Sequence, residues 1–377
     1  MILPDLFVYG TLRHLPLLET VLGRGLGRDA TCPATLRGYA VSRAKDQPFP
    51  MIATSAGGCA TGVVLRGPTE TDLNRLDYFE GGFGYDRVPV DVETAEGPRR
   101  ATVYVPRPGL WQAYGPWDLD GWVRDWGQVA QDAADEIMRH YGRTPSDRMQ
   151  ALRPFLYARA WARSLAETPA PQTLRSAMTA ADVEVLRDRA GFDGFFRIRA
   201  FDLRHRRFDG TTTDPVSREG FVAFDAALVI PYDPATDRLL LIEQLRYGPL
   251  LRGDPAPWVL EPIAGLVDAG ENPADCARRE AVEEAGITLT ALEPMTRVYA
   301  SPGYSSEFFH CFLGLCDLSD HSGGLGGLDS ENEDIRSHVI AFDRAMALID
   351  SGEINAGPLA MMLLWLARHR DRLRASA

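Results

Sequence analysis

Between Gly265 and Ile287 the chain reads GLVDAGENPADCARREAVEEAGI, and three of its glutamates, Glu280, Glu283 and Glu284, fall at i, i+3 and i+4. The ends of a helix are well marked here. Asn272 can cap the exposed amides, Pro273 suits the first helical position, Asp275 adds an acid to the first turn, and Gly286 supplies the stop. The three carboxylates then share one face near the helix C-terminus. Like charges so spaced repel, and the negative end of the helix dipole prefers cations; each effect costs on the order of tenths of a kcal/mol. A divalent ion reverses both signs. Oxygen-only donors point to a hard cation, magnesium or manganese, which commonly combines a few carboxylates with substrate phosphates. An isolated glutamate pair would read as a solvated helix face, so the surrounding spacing decides.

That spacing is G-x5-E-x7-R-E-U-x-E-E-x-G-U, with Gly265, Glu271, Arg279, Glu280, Glu283, Glu284, Gly286 and Ile287 in place and the small Ala281 in one apolar slot. At about one in fifteen per fixed position, seven such matches arise by chance at roughly one in 10⁸. The segment resembles the Nudix box. The resemblance implies a hydrolase that cleaves a nucleoside diphosphate linked to another group, with metal ligands at Glu280, Glu283, Glu284 and the Ala264 carbonyl. It also implies that Glu271 and Arg279 fix those carboxylates from behind.

FDLRHRRFDG (201–210), IEQLRYG (242–248), PWVLEPIAG (257–265), SPG (301–303) and ENEDI (331–335) together resemble the ADP-ribose or ADP-sugar pyrophosphatase subgroup over most of residues 195–370. By that resemblance Arg218, Arg246 and Glu261 are substrate-contacting residues; a guanidinium can stack on adenine or grip phosphate oxygens in a fork. Glu331 matches the position of the catalytic base, in HSGGLGGLDSENEDI, whose glycines permit a mobile loop; Glu333 and Glu307 are the other candidates. The expected activity is metal-dependent hydrolysis of ADP-ribose to AMP and ribose 5-phosphate. The alternatives are another nucleotide sugar or a dinucleotide as substrate, or an ADP-ribose sensor without turnover. A complete carboxylate set argues against the sensor, since binding alone does not require so costly a cluster. Enzymes resembling this subgroup are commonly dimers, which implies a homodimer here.

The first hundred residues carry different signals. Phe7-Val-Tyr-Gly-Thr-Leu-Arg13 is a strand running into a glycine turn, and Leu76-Asp-Tyr-Phe-Glu-Gly81 is followed by Tyr85, Arg87 and Val88. Together, over roughly residues 5–125, they resemble the gamma-glutamylcyclotransferase-like (AIG2-like) family. The resemblance implies that the backbone of Tyr9, Gly10, Thr11 and Leu12 cradles a substrate oxygen while Glu80 shuttles a proton as an amine attacks an amide carbonyl. The other readings are a turn-capping Glu80 in a domain that only binds or regulates, and a bifunctional chain. Relatives of this two-domain kind are associated with tellurite resistance.

Length and composition agree with two domains. The 377 residues exceed one ordinary domain. Alternating runs such as Ala60–Leu65, Val88–Val92 and Ala101–Val105 predict strands, a helical pattern follows from Leu119 to about Leu165, and two prolines among small residues mark a connector at 166–180. The expected organisation is a gamma-glutamylcyclotransferase-like domain at 1–140, a helical and linking segment at 141–190, and a Nudix domain at 191–377. The expected fold class is α/β and α+β, a mixed β-barrel followed by an α/β/α sandwich. In the second half, Phe221–Tyr232 and Arg238–Gln244 predict two strands around the turn Asp233–Asp237, and Asn355–Arg370 predicts a buried amphipathic helix with Met361 and Met362 in the core.

A net charge of −12 repels phosphate backbones, so neither nucleic acid nor an anionic membrane is expected as a partner, whereas a small nucleoside diphosphate sugar neutralised by metal is. Five cysteines at no metal-ligand spacing, a start without signal-peptide character and no apolar run of membrane-spanning length lead to the expectation of a soluble cytoplasmic protein.

Overall fold

The computed structural model describes residues 3–81, 84–168, 170–189, 191–328 and 333–375. The chain divides into two compact units, Met1–Ser164 and Leu165–Ala377. Among the described residues no helix is long and apolar enough to cross a membrane.

The first unit is built on β1 (Asp5–Val8), β2 (Thr31–Ala44), β3 (Pro50–Leu65), β4 (Tyr85–Thr94) and β5 (Gly97–Pro106). They run in the order β3-β1-β5-β4-β2, and β2 pairs again with β3, which closes a five-stranded barrel. Only the β1–β5 pair is parallel. Closure leaves no free edge among the five; a short β6 (Ala113–Pro116) adds onto β2. Helix α1 (Leu15–Leu22) follows β1, and α2 (Glu70–Gly81) follows β3. The expected runs at 60–65, 88–92 and 101–105 lie inside β3, β4 and β5.

Helices α3 (Leu119–Arg139) and α4 (Ser146–Leu165) complete this unit. Helix α3 buries Trp122, Val129, Ala130, Ala133, Ala134, Ile137 and Met138, a stripe at three- and four-residue spacing. Met149 and Leu156 of α4 sit with Leu6, Phe7, Phe79, Tyr85 and Tyr104 in one core. The helical run to 165 is therefore part of the first unit's core rather than a separate link. The two helices are also pinned by a buried pair, Arg159 Nε to Glu136 at 2.9 Å, with Arg163 donating to Glu136 and Asp132.

The second unit opens with a three-stranded antiparallel sheet, β7 (Val183–Arg189), β8 (Arg197–His205) and β9 (Val216–Val222). The chain then enters a mixed sheet made from β10 (Asp225–Asp233), β11 (Arg238–Leu245), β12 (Trp258–Glu261), β13 (Ile263–Leu266), β14 (Ala291–Tyr299), β15 (Phe308–Leu315), β16 (Gly324–Gly326) and β17 (Ile335–Ala341). Its main order is β14-β15-β10-β11-β17-β16; β12 pairs with β11 and β13 with β10. The strand expected over 221–232 is broken at Ala223-Phe224. Phe221 exchanges backbone hydrogen bonds with Tyr304 and Ser306, so the ladder changes partners there and the chain passes from one sheet to the other. The turn after β10 forms as its sequence predicts, with Asp233 accepting from Ala235, Thr236 N and Thr236 Oγ1.

Alternation sorts the central strands between two layers. Leu228, Ile230, Tyr232, Leu239 and Leu241 pack with α7 (Phe342–Ser351) and α8 (Gly357–Ala375), including Met362 and Leu366. Their neighbours Ala227, Val229, Leu240 and Ile242 are equally buried on the opposite face, where α6 (Pro273–Ala285) contacts β10, β13 and β15. The result is an α/β/α sandwich. The short α5 (Tyr247–Arg252) follows β11.

Candidate active site

Helix α6 forms over the expected residues and with the expected caps. Asn272 Oδ1 accepts from Ala274 N at 2.8 Å, and Gly286 adopts φ 66°, a left-handed value that suits glycine. Its buried face consists of Cys276, Ala277, Ala281 and Glu284. Small side chains let the helix approach the sheet closely, which draws Glu284 in after them. The small Ala281 is thus a packing requirement. Gly265 on β13 answers a similar demand, because a Cβ there would overlap the Glu280 carboxylate.

Arg279 organises the carboxylates. Its Nε and Nη2 grip the two Glu271 oxygens at 2.9 and 3.0 Å, while Nη1 donates to Glu280 Oε1 at 2.6 Å and to Glu283 Oε2 at 2.8 Å. Burial opposes ionisation of Glu271, but the fork with Arg279 outweighs it and holds this carboxyl below its usual range. Arg279 in turn is held more firmly protonated, chiefly by Glu271.

Glu284 and Glu280 shift the opposite way. Glu284 is 2% exposed, and burial pushes it up to about 9 against the opposing hydrogen bond from Ala264 N at 3.1 Å. Burial pushes Glu280 up to about 7, opposed by Arg279 and reinforced by the charges of Glu283 and Glu333. Glu280 and Glu284, crowded in a poorly solvated place, therefore resist ionising together. Among the described residues no three acidic, histidine or cysteine side chains already stand in metal-holding positions; in this arrangement Nη1 of Arg279 bridges two of the oxygens a cation would take. The donor chemistry nevertheless fits a hard divalent ion, since all the groups are oxygens and the raised proton affinity of Glu280 and Glu284 is what a nearby positive charge would relieve. The Ala264 peptide is held at this place by its own bond to Glu284.

The surrounding residues divide. Arg246 Nε donates to Glu261 Oε2 at 2.6 Å, and the Arg246 charge acts on both Glu284 and Glu307, whose carboxyl burial raises. Arg218 lies on β9 with an exposed guanidinium donating to the Ser217 carbonyl at 2.8 Å; among the described residues no hydrogen bond joins it to the α6 acids. Glu331 lies outside the described residues. Glu333 is described: it accepts from Leu328 N at 3.1 Å and acts on Glu280 and Glu284. The glycine-rich stretch before it does more than permit motion. Gly324–Gly326 pairs with β17, and Gly326 is needed for contact, because a Cβ there would overlap the Glu284 carbonyl at the end of α6.

The barrel has a second cluster. Tyr9 follows β1 directly, Gly10 leads into a single helical turn at Thr11–Arg13, and Leu12 is buried. A Cβ on Gly10 would lie 2.7 Å from Pro50 Cγ, so the chain must be bare where it passes that proline. Tyr85 donates to the Pro50 carbonyl at 2.9 Å. Glu80, half-buried in the last turn of α2, is pushed up to about 7 by desolvation, with Arg153 opposing. Its charge is felt by Tyr9, Tyr85, Tyr104 and Tyr157, all held above the usual tyrosine range mainly by burial. Sequence reasoning did not include Arg153 or Tyr157. The available signal was an arginine inside an apolar stripe, Met149-Arg153-Leu156-Ala160, at spacings of four, three and four.

Comparison with known proteins agrees with both halves. A family model described as "Gamma-glutamyl cyclotransferase, AIG2-like" matches residues 6–119, and one described as "NUDIX domain" matches residues 223–359. The chain belongs to the Nudix hydrolases, in their ADP-ribose/ADP-sugar pyrophosphatase subgroup, and carries a gamma-glutamylcyclotransferase-like (AIG2-like) domain ahead of it. Among its relatives, the ADP-ribose pyrophosphatase of Escherichia coli (strain K12) is 38% identical over 193 residues, which is 51% of this chain and 91% of the relative. That of Haemophilus influenzae is 38% identical over 197 residues, 52% of this chain and 90% of the relative. The GDP-mannose pyrophosphatase of Enterobacter sp. (strain 638) is 28% identical over 184 residues, 49% of this chain and 94% of the relative. A solved structure titled "Crystal structure of ADP compounds hydrolase" aligns with 51% of this chain and 97% of its own, at a TM-score of 0.41 and 19% identity.

Proposed function

We propose that the second unit hydrolyses the pyrophosphate of ADP-ribose to AMP and ribose 5-phosphate, using magnesium or manganese held by Glu280, Glu283, Glu284 and the Ala264 carbonyl. The observation that carries this reading is the carboxylate trio, in which Arg279 ties Glu280 to Glu283, Ala264 N holds Glu284, and burial pushes Glu280 and Glu284 up to about 7 and 9. The names of its nearer relatives support the substrate. The bound ion would neutralise pyrophosphate charge and polarise the attacking water. Glu271 and Arg279 keep the carboxylates oriented, and Glu331 takes the proton as the water oxygen bonds to phosphorus and the bridging P–O bond breaks. Arg246, tied to Glu261, and Arg218 are the arginines for the ligand's phosphates and base.

A panel of nucleotide sugars incubated with magnesium, with products identified by mass, tests the proposal. AMP release from ADP-ribose that chelation abolishes is expected. Preferential turnover of GDP-mannose, another nucleotide sugar or a dinucleotide would replace the substrate, and tight ADP-ribose binding without products would replace the enzyme with a sensor. We place the protein in the cytoplasm, consistent with five free cysteines, and expect a homodimer. The exposed Val183, Val185, Leu186, Phe195, Phe196 and Ile198 on and beside the three-stranded sheet support an association surface.

A second activity is favoured by Glu80. A carboxyl that titrates near neutrality beside the Tyr9–Leu12 turn suits proton transfer at physiological pH. In this reading the α-amine of a γ-glutamyl amine attacks the γ-carbonyl. Glu80 carries the proton from that amine to the leaving amine, the new C–N bond closes 5-oxoproline, and the old amide bond breaks.

A further inference from the structure

We propose that the Glu80 site extends beyond the matched barrel, and that Arg153 of α4 is a positioning residue for Glu80. This rests on reading Glu80 as an acid–base group. Residues 6–119 match the cyclotransferase-like family model, whereas α4 begins at Ser146. Yet α4 is packed into the barrel's own core through Met149 and Leu156, both fully buried.

Between those anchors Arg153 turns inward. Its Nη2 donates to the Phe79 carbonyl at 2.6 Å, and its guanidinium lies 5.1 Å from the Phe79 ring centroid. Phe79 immediately precedes Glu80 in the closing turn of α2, where carbonyls lack helical donors. The arginine thus fastens the peptide that carries Glu80 and sets a buried cation beside it. The loop before α4 adds a second tie, Tyr78 Oη to the Thr144 carbonyl at 3.1 Å.

The groups whose charge states respond to Glu80 are Tyr9 just after β1, Tyr85 from β4, Tyr104 from β5, and Arg153 with Tyr157 from α4. Asp77, one turn back on α2, is already occupied by Tyr104 Oη at 2.7 Å and by Arg87. Arg153 is therefore the positive member of this set, and it is the group opposing the desolvation of Glu80. Its loss should make Glu80 a weaker acid. A fragment ending at residue 140 would lack Arg153 and Tyr157 altogether.

The test uses the full chain labelled with δ-13C-glutamate, with the Glu80 signal assigned by its absence in Glu80→Gln. In the wild-type protein the carboxyl should titrate near 7. In Arg153→Gln, which keeps a donor for the Phe79 carbonyl but removes the charge, the midpoint should rise by about one unit. The rising limb of 5-oxoproline release from a γ-glutamyl amine should move up in pH with it. Arg153→Lys should return both to within a few tenths of a unit. A folded Arg153→Gln protein with an unmoved Glu80 midpoint overturns the proposal. If that variant does not fold, a shift of a unit or more in Arg153→Lys overturns it instead, and a near-wild-type midpoint supports it. Absence of 5-oxoproline release from the wild-type protein would refute the cyclotransferase reading alone, because the carboxyl titration still reports on Arg153.

Discussion

Replacing Glu284 by glutamine separates what this carboxyl costs the fold from what it contributes to the chemistry. Glu284 is buried and its carboxyl is pushed up to about 9, whereas an unfolded chain would ionise it near the ordinary glutamate value of 4.5. The folded state therefore binds a proton that the unfolded state releases, so stability falls with rising pH between those two values. At about 1.4 kcal/mol per unit, the span from 4.5 to pH 7 amounts to about 3 kcal/mol. Glutamine resembles the protonated acid in shape, can still accept from Ala264 N, and has no such pH dependence. In a chelator, the Glu284→Gln protein should be the more stable at pH 7, and its advantage should grow toward pH 9 and vanish near pH 4.5. About 3 kcal/mol corresponds to roughly 6–12 °C for a unit of this size. Differential scanning calorimetry across pH 5–9 reads it directly. Magnesium should reverse the order, stabilising the wild-type protein by displacing the proton and leaving the variant nearly unchanged, while AMP release by the variant falls at least 100-fold. Parallel pH dependences of the two proteins in chelator, or equal stabilisation of both by magnesium, would refute the reasoning.

Two further perturbations probe the same site. Gly265→Ala places a methyl group into the Glu280 carboxylate, so AMP release should fall at least 10-fold while far-UV circular dichroism stays unchanged; wild-type turnover would mean that Glu280 can move aside at no loss. Glu331→Gln should lower kcat by orders of magnitude while leaving the magnesium-induced rise in melting temperature intact, and Glu333→Gln is the paired control. A wild-type rate for the former with a collapsed rate for the latter would transfer the catalytic-base role to Glu333.

Most of the geometry of α6 was legible in the sequence because it is local. Caps, stop and the i, i+3, i+4 placement of carboxylates depend on helical geometry alone, and α6 formed over Pro273–Ala285 with Asn272 and Gly286 as its caps. The strands at 60–65, 88–92 and 101–105 were readable for the same reason, since alternation is a property of neighbouring residues. The single strand expected over 221–232 failed because nothing local marks a change of partner: Phe221 bonds to Tyr304 and Ser306, more than eighty residues away.

Which residues carry charge, where helices begin and end, and the crowding of three acids on one helical face all follow from the order of residues alone. How those groups ionise depends on the folded chain. Solvent exclusion and long-range neighbours set that, as when the sheet buries Glu284, Arg279 bridges Glu280 and Glu283, and α4 delivers Arg153 to the peptide ahead of Glu80. An arginine seventy-four positions from Phe79 leaves no periodic trace of its destination, because desolvation and Coulomb energy depend on distance through space and not along the chain.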